Sequence, residues 1–542
     1  MAAPISSELL NIVRVHRILP DQPASRESTY PLSLLDATTA NFGLTSAIWL
    51  LERPNGWLVP KDLTGHLRVA FRATLNAYPQ WCGFLKSIST IDSNESTPET
   101  ARFPTHARRY GRVYVHYGTS ADPGVEFVEA TSLATVDSLY SVQSAKRRPI
   151  WNRLEDRVTL SHFVPQTAVI NALRPNEKDA NGLYKPCMAV QLTHLACGGF
   201  MIAAKIAHPL ADITALTRFA QHWASNSRAM VSKMPFPASS SFFQPDLLDG
   251  CAAGDINASE ANPTIMEDAL ALPLHRYDWW APPMKAPSPF PVGLPPAGKS
   301  LPWAEWNTEA KVEQYTIHFS QKQIEFLWHS ATQDSSITPS GSKISKHDAL
   351  LAHIWSCVVR ARGLQEDQGP VHCDLVLGTR PVLNLDAGFI GSPTMMLNIE
   401  STASQVATTS FGQTAQRIRE TLTTVNDAQR LAAHLHSIAY EKSPQRIWQG
   451  FLGQRHIMVT TWARAGIYKV DFGFGSLIRY ADGIVPCLDG CILINDAPPM
   501  DSTLSSNTCP RTWTDNGVDV TLPLLPKDMK HLLQDPLLLP QV

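Results

Sequence analysis

From Met234 to Trp303 the sequence runs MPFPASSSFFQPDLLDG and then, after a more ordinary stretch, APPMKAPSPFPVGLPPAGKSLPW. Proline at that density fixes φ and removes backbone donors, so the segment enters neither a helix interior nor a central strand. It reads as a long, semi-extended connection. It divides the 542 residues into an N-terminal domain over 1–233, the connection over 234–308 and a C-terminal domain over 309–542. Each flanking half has the size of a large domain.

Composition limits what these halves do. Lys+Arg 46 against Asp+Glu 48 gives a formal charge of −2, which argues against a broad electrostatic grip on nucleic acid or anionic lipid. Hydrophobic residues at 44% with charge at 17% are enough for two large cores and exclude disorder. The longest apolar stretch, CMAVQLTHLACGGFMIAAKIAHPLA, carries Gln191, His194, Lys205 and His208, so it reads as buried strands around a turn rather than a membrane span. The first twenty residues lack a basic stretch, an apolar run and a small-residue cleavage site, so the expectation is a cytoplasmic chain. Nine Cys, odd in number and without CxxC spacing, read as reduced thiols. No cluster of His and Cys appears at the spacing zinc uses, so no metal is expected.

Both halves mix helix and strand. Leu63, Leu67, Phe71 and Leu75 recur every four residues, with Asp62 placed to cap the start and Pro79 beyond the end, which predicts an amphipathic helix. RVYVHY (112–117), GVEFVEA (124–130) and AVQLTHL (189–195) read as strands. In the second half KVEQYTIHF gives way at Ser320 to a capped helix, and Ser345 with Asp348 forms a capping box opening another. GVDVTLPL (517–524) alternates as a strand before a short helix. The expected fold class is therefore α/β, two similar units each with a mixed sheet and helices, and a ligand site between them.

Two stretches carry candidate chemistry. In CGGFMIAAKIAHPLADITALTRFAQHWA (197–224), His208 sits where a strand stops and a helix begins, with Asp212 at the helix start. A neutral imidazole at such a break can take a proton from a hydroxyl or amine. A core histidine followed by an ordinary N-cap fits the same spacing. In TTWARAGIYKVDFGFGSL (460–477), Thr460 and Trp462 stand two apart on a predicted strand and so share a face. A hydroxyl and an indole N–H aimed at one place can bind a developing oxyanion. Asp471 precedes Gly473 and Gly475, which imply a tight backbone whose amides the carboxylate bonds. A core strand and a turn are equally compatible with this segment.

HPLAD followed about 260 residues later by DFGFG resembles the BAHD acyltransferase family, which carries HxxxD and DFGWG in that order. LSLLD (32–36), AYPQWCGFL (77–85), VQLTHLACGGF (190–200), SKHDALLAHIWSCVVRAR (345–362) and LGTRPVLNLDAGFIGS (377–392) are similar to further landmarks of that family, in order. The resemblance implies two chloramphenicol-acetyltransferase-like domains with a channel between them. It implies acyl-CoA as co-substrate, a small-molecule alcohol acceptor, no permanently bound cofactor, and a monomer. His208 is implied as general base with no acyl-enzyme. Thr460 and Trp462 are implied to steady the tetrahedral intermediate. Asp212 is implied to turn away from His208 and pair with Arg380, and Asp471 to be structural.

The sequence departs from that pattern at several positions. Ile213 follows HxxxD where Gly is usual, Phe474 replaces the Trp of DFGWG, Gly378 replaces the first Arg of RxR, and Ser392 stands where Asn is common. His208, Asp212 and Asp471 remain. CoA carries phosphates, and Lys343 and Lys346 flank the helix start at Ser345, where an anion is favoured. The resulting expectation is an O-acyltransferase moving an acetyl group to a hydrophobic secondary metabolite. The alternatives are a catalytically silent binding protein of the same fold, or a condensation-type or N-acylating enzyme.

Overall fold

The computed structural model describes residues 9–55, 59–89, 97–141, 149–154, 159–282, 284, 297–334, 343–408, 410–499 and 512–542. The most proline-dense part of the connection, 285–296, lies outside them.

The expected helix over Leu63–Leu75 forms, with the Asp62 carboxylate accepting from the Gly65 amide. Its buried face, Leu67, Phe71 and Leu75, packs on the long helix Ile213–Val231. There the Phe71 ring meets Trp223 edge-on at 5.0 Å and Phe219 at 5.6 Å, the geometry that aromatic quadrupoles favour. Behind these helices lies a six-stranded sheet in the order Leu10–Ile18, Val125–Ser132, Met188–Leu195, Phe200–Ile206, Thr45–Leu51 and Ile478–Gly483. Its central hairpin turns at Gly198, whose φ of +84° suits glycine alone. A Cβ on Gly199 would stand 2.8 Å from the Leu51 carbonyl.

The second half repeats the plan with seven strands, in the order Thr394–Thr402, Pro370–Gly378, His456–Thr461, Cys491–Asp496, Val518–Leu524, Glu313–Phe319 and Ile150–Asn152. Ser320 and Ser345 each close a capping box, opening the helices Gln321–Thr332 and Lys346–Ala361. The second of these is buried along almost its whole length, sandwiched among Gln321–Thr332, Gly412–Val425 and Pro526–Gln534.

Division at the connection does not yield two contiguous units. Ile478–Gly483, from the second half, completes the first sheet by pairing antiparallel with Thr45–Leu51. Ile150–Asn152, from the first half, is an edge strand of the second sheet against Glu313–Phe319. The bounds 1–233 and 309–542 therefore part company with the two sheets at these two strands. Burial explains why each exchange holds. Arg153, one residue past its strand, reaches Asp482 on the other exchanged strand at 2.7 Å, both side chains almost fully buried. Its guanidinium also reaches the Tyr480 hydroxyl at 3.2 Å and lies over the Trp151 ring. The connection is itself pinned, because Tyr277–Asp278 pairs with both Lys299–Ser300 and Ile447–Trp448.

Removing one partner of a buried ion pair leaves the other charge uncompensated, at a cost of about 3–5 kcal/mol. Arg153→Met and Asp482→Asn should each lower stability on that scale in urea unfolding, and the double variant should cost less than the sum. Strict additivity would show that the pair does not couple the exchanged strands.

Candidate functional site

The strand Phe200–Ile206 is buried throughout. It ends where Pro209 cannot continue a ladder, and the chain makes one tight helical turn over His208–Leu210. Asp212 then caps the Ile213–Val231 helix, its Oδ1 accepting from the Ala215 amide at 3.0 Å. The same carboxylate is held by Arg380 from the second half. Nη2 donates to Oδ1 at 3.0 Å, and Nη1 donates to Oδ2. The guanidinium also donates to the carbonyls of Phe389 at 3.0 Å and Gly391 at 3.3 Å. The Asp212 amide returns a bond to Gly391 at 3.0 Å. Asp212 therefore serves the backbone and Arg380, and its side chain makes no hydrogen bond to His208 among the described residues.

That clamp brings the next residue, Ser392, to His208. Ser392 Oγ lies 2.8 Å from His208 Nδ1. The amide of Ser392 donates to Asp36 of the LSLLD segment, whose other oxygen accepts from the Ser33 amide at 2.9 Å. Burial pushes Asp36 up to about 7, against the lowering effect of its bonds to Ser33 and Ser392. Burial also lowers the pKa of His208, and the Asp212 charge only partly opposes it. The imidazole is therefore neutral at pH 7, with Nδ1 engaged and Nε2 left as the ring nitrogen available for chemistry.

His208 lies on the wall of a cavity of about 270 Å³, and Thr460 and Trp462 line the same cavity. Thr460 is on the strand His456–Thr461, and Trp462 follows at its end. The Trp462 ring packs on Gly483 so closely that a Cβ there would stand 2.4 Å from it. Aromatic side chains make up much of the remaining wall: Phe42, Trp279, Trp306, Trp448 and Phe451. Phe42 meets the His208 ring edge-on at 5.7 Å, and Trp279 stacks on Trp448 at 4.9 Å. Sequence reading missed these residues as a group. Trp279 and Trp306 belong to the connection, while Ser239, Ser240 and Ser241 of its proline-rich start stand outside the lining.

A second cavity of about 340 Å³ adjoins the first, sharing Val376, Gly378 and Thr461 and adding His347, Arg419 and Asn426. A Cβ at Gly378 would meet nothing within 4 Å, so this departure from the RxR pattern leaves open space where the two cavities join. His347 Nε2 lies 2.9 Å from the Thr461 hydroxyl, and burial pushes its pKa down to about 4. Ser345 is already committed, accepting from the Asp348 amide and, at 2.9 Å, from Arg419. Lys346 pairs with Glu325 at 3.2 Å, whereas Lys343 is exposed.

DFGFG lies far from His208. Asp471 Oδ1 accepts from the Gly473 amide at 2.9 Å. Gly473 and Gly475 both have positive φ, and a Cβ on Gly473 would stand 2.7 Å from Arg228 Cγ. Arg228 is sixteen residues past Asp212, roughly 24 Å along the helix. Phe472 and Phe474 are buried in the first core, Phe472 against Trp223 at 5.1 Å. The motif thus fastens a loop of the second half onto the first.

The match to the Transferase family model runs over residues 119–535. Acyltransferase AFT15-1 of Alternaria alternata is 26% identical over 553 residues, covering 98% of this chain and 97% of its own length. The crystal structure of vinorine synthase superposes with a TM-score of 0.58 at 18% identity, over 97% of this chain and 98% of that one. F. graminearum TRI101 complexed with coenzyme A and deoxynivalenol gives a TM-score of 0.63 at 17% identity, over 94% and 98%. The fold is that of these proteins, two chloramphenicol-acetyltransferase-like halves enclosing a cavity. A match across most of the chain, in sequence and in fold, leaves one conclusion: this chain belongs to the Transferase family and is an acyltransferase of the BAHD type.

Proposed function

We propose that the chain carries an acyl group, acetyl in the simplest case, from an acyl-CoA thioester to a hydroxyl of a small hydrophobic metabolite. The observation that carries this reading is a neutral His208, fixed through Nδ1 by Ser392, on a cavity wall shared with Thr460 and Trp462. His208 Nε2 takes the acceptor's proton as its oxygen attacks the thioester carbonyl carbon. Thr460 and Trp462 stabilise the oxyanion of the tetrahedral intermediate. When the C–S bond breaks, the imidazolium returns its proton to the CoA thiolate, and the ester leaves. The aromatic wall supports a flat, apolar acceptor, because burying apolar surface against aromatic rings drives such binding. The adjoining cavity, lined by Arg419 and a neutral His347, supports entry of the donor. Coenzyme A and deoxynivalenol bound together in F. graminearum TRI101 support a donor and a small-molecule acceptor on this fold.

His208→Gln should lower the rate of thiol release from acetyl-CoA by about 10²–10⁴ while leaving the melting temperature close to wild type. Transfer at the wild-type rate would remove the base assignment. Thr460→Ala should lose roughly 10-fold or more through kcat, read in the same assay against a panel of hydroxylated metabolites.

The pH profile follows from the sign of the His208 shift. Activity needs the neutral ring and its pKa is depressed, so kcat/KM should be flat from neutrality upward and fall only below the ordinary histidine value of 6.5. An acid limb centred above 6.5 would contradict this.

On the donor side, Lys343→Gln should raise KM for acyl-CoA with kcat little changed, and added salt should mimic it. Lys346→Gln, whose ammonium already serves Glu325, should change KM less. Unchanged KM in both would place the phosphates elsewhere.

A further inference from the structure

Behind the aromatic wall of the cavity lies a group of side chains that the acyl-transfer reading does not use. His275 comes from the connection, His372 from the strand Pro370–Gly378 and His456 from the strand His456–Thr461. One ring nitrogen from each lies within 4.8 Å of the other two. The rings are 4.4 Å apart for His372 and His456, 4.8 Å for His275 and His372, and 5.4 Å for His275 and His456. Asp374 sits among them with no solvent exposure.

The oxygen atoms around this group orient its rings. His456 Nδ1 meets Asp374 Oδ2 at 3.1 Å, and His372 Nδ1 meets Asn398 Oδ1 at 3.0 Å. His275 Nε2 faces Asp374 Oδ1 at 3.3 Å, yet both atoms are buried without a hydrogen bond among the described residues. An imidazole tied at one nitrogen by a carboxylate or amide oxygen, its other nitrogen free, is the arrangement that surrounds protein-bound zinc. A single shared cation would use one nitrogen from each of the three rings.

We propose that His275, His372 and His456, with Asp374, form a binding site for one divalent transition-metal ion of the zinc class. Three imidazoles, oriented by Asp374 and Asn398, suit Zn²⁺, Co²⁺, Ni²⁺ or Cu²⁺ and disfavour Mg²⁺ and Ca²⁺. Sequence spacing gave no sign of it because the ligands come from three separate segments, and the expectation of no metal rested on spacing alone. The ion would staple the connection to the second sheet. It would also brace the acceptor wall: Asp374 Oδ2 accepts from the Phe451 amide at 2.8 Å, and the His456 ring meets the Phe451 ring edge-on at 5.2 Å.

The test uses the full chain without an affinity tag, stripped with chelator and titrated with Zn²⁺ or Co²⁺. Wild type should retain one Zn²⁺ per chain after gel filtration, measured by elemental analysis. Its Co²⁺ form should show ligand-field absorption in the visible. His275→Gln and His456→Gln should each weaken binding at least tenfold and lose that absorption, and Asp374→Asn should weaken it about 10–100-fold as an orienting group. Zn²⁺ should raise the melting temperature of wild type and not of His275→Gln. A wild type that retains no stoichiometric metal, or variants that bind as tightly as wild type, would overturn the proposal. Neither result depends on acyl-transfer activity.

Discussion

The Asp212 carboxylate does three things at once, and the arrangement of the site depends on it. It caps the helix that follows His208, it holds the Arg380 guanidinium, and through Arg380 it fixes the carbonyls of Phe389 and Gly391. Those carbonyls belong to the segment that ends in Ser392, the partner of His208. A charge pair that never touches the imidazole thus determines which atom does. In a low-dielectric interior such a pair is worth keeping only when its remaining hydrogen-bonding capacity is filled, and here backbone groups on both sides fill it. The two halves are joined at the place where their contact sets the orientation of a ring.

The cavity is consequently a property of no single half. His208 comes from the first, Thr460 and Trp462 from the second, and Trp279 and Trp306 from the connection between them. DFGFG works at the far end of the same helix, where Phe472 and Phe474 enter the first core. One helix, Ile213–Val231, is therefore clamped to the second half near both ends, by Arg380 at Asp212 and by the Asp471 loop at Arg228. Clamping at two separated points resists rotation as well as translation.

Much of this was legible in the sequence where the signal is local. Strong periodicity with a cap gave the helices Leu63–Leu75 and Gln321–Thr332 almost to the residue, and a landmark order gave the fold and family. What escaped reading depends on partners far apart in the chain. Ile150–Asn152 is too short to show alternation, and Ile478–Gly483 reads IRYADG, whose Asp482 is a poor strand residue until Arg153 neutralises it. Ser392 was visible as a departure from Asn, but its contact to His208 spans 184 residues. Trp279 and Trp306 lay in a stretch whose prolines mark it as a linker, and proline density says nothing about what neighbouring tryptophans cover.

The exchanged strand Ile478–Gly483 bears on how the chain is made. Thr45–Leu51 is buried at every position in the finished protein, yet the strand that covers its free edge leaves the ribosome more than four hundred residues later. At typical synthesis rates of about 5–20 residues per second, that interval is tens of seconds. Throughout it, the nascent first half presents an unpaired, largely apolar edge to other nascent chains, the kind of surface that seeds strand addition between molecules. The first half cannot be finished before the second is nearly complete, so the two mature as one unit, and a chain truncated before residue 478 lacks the strand that closes its first sheet.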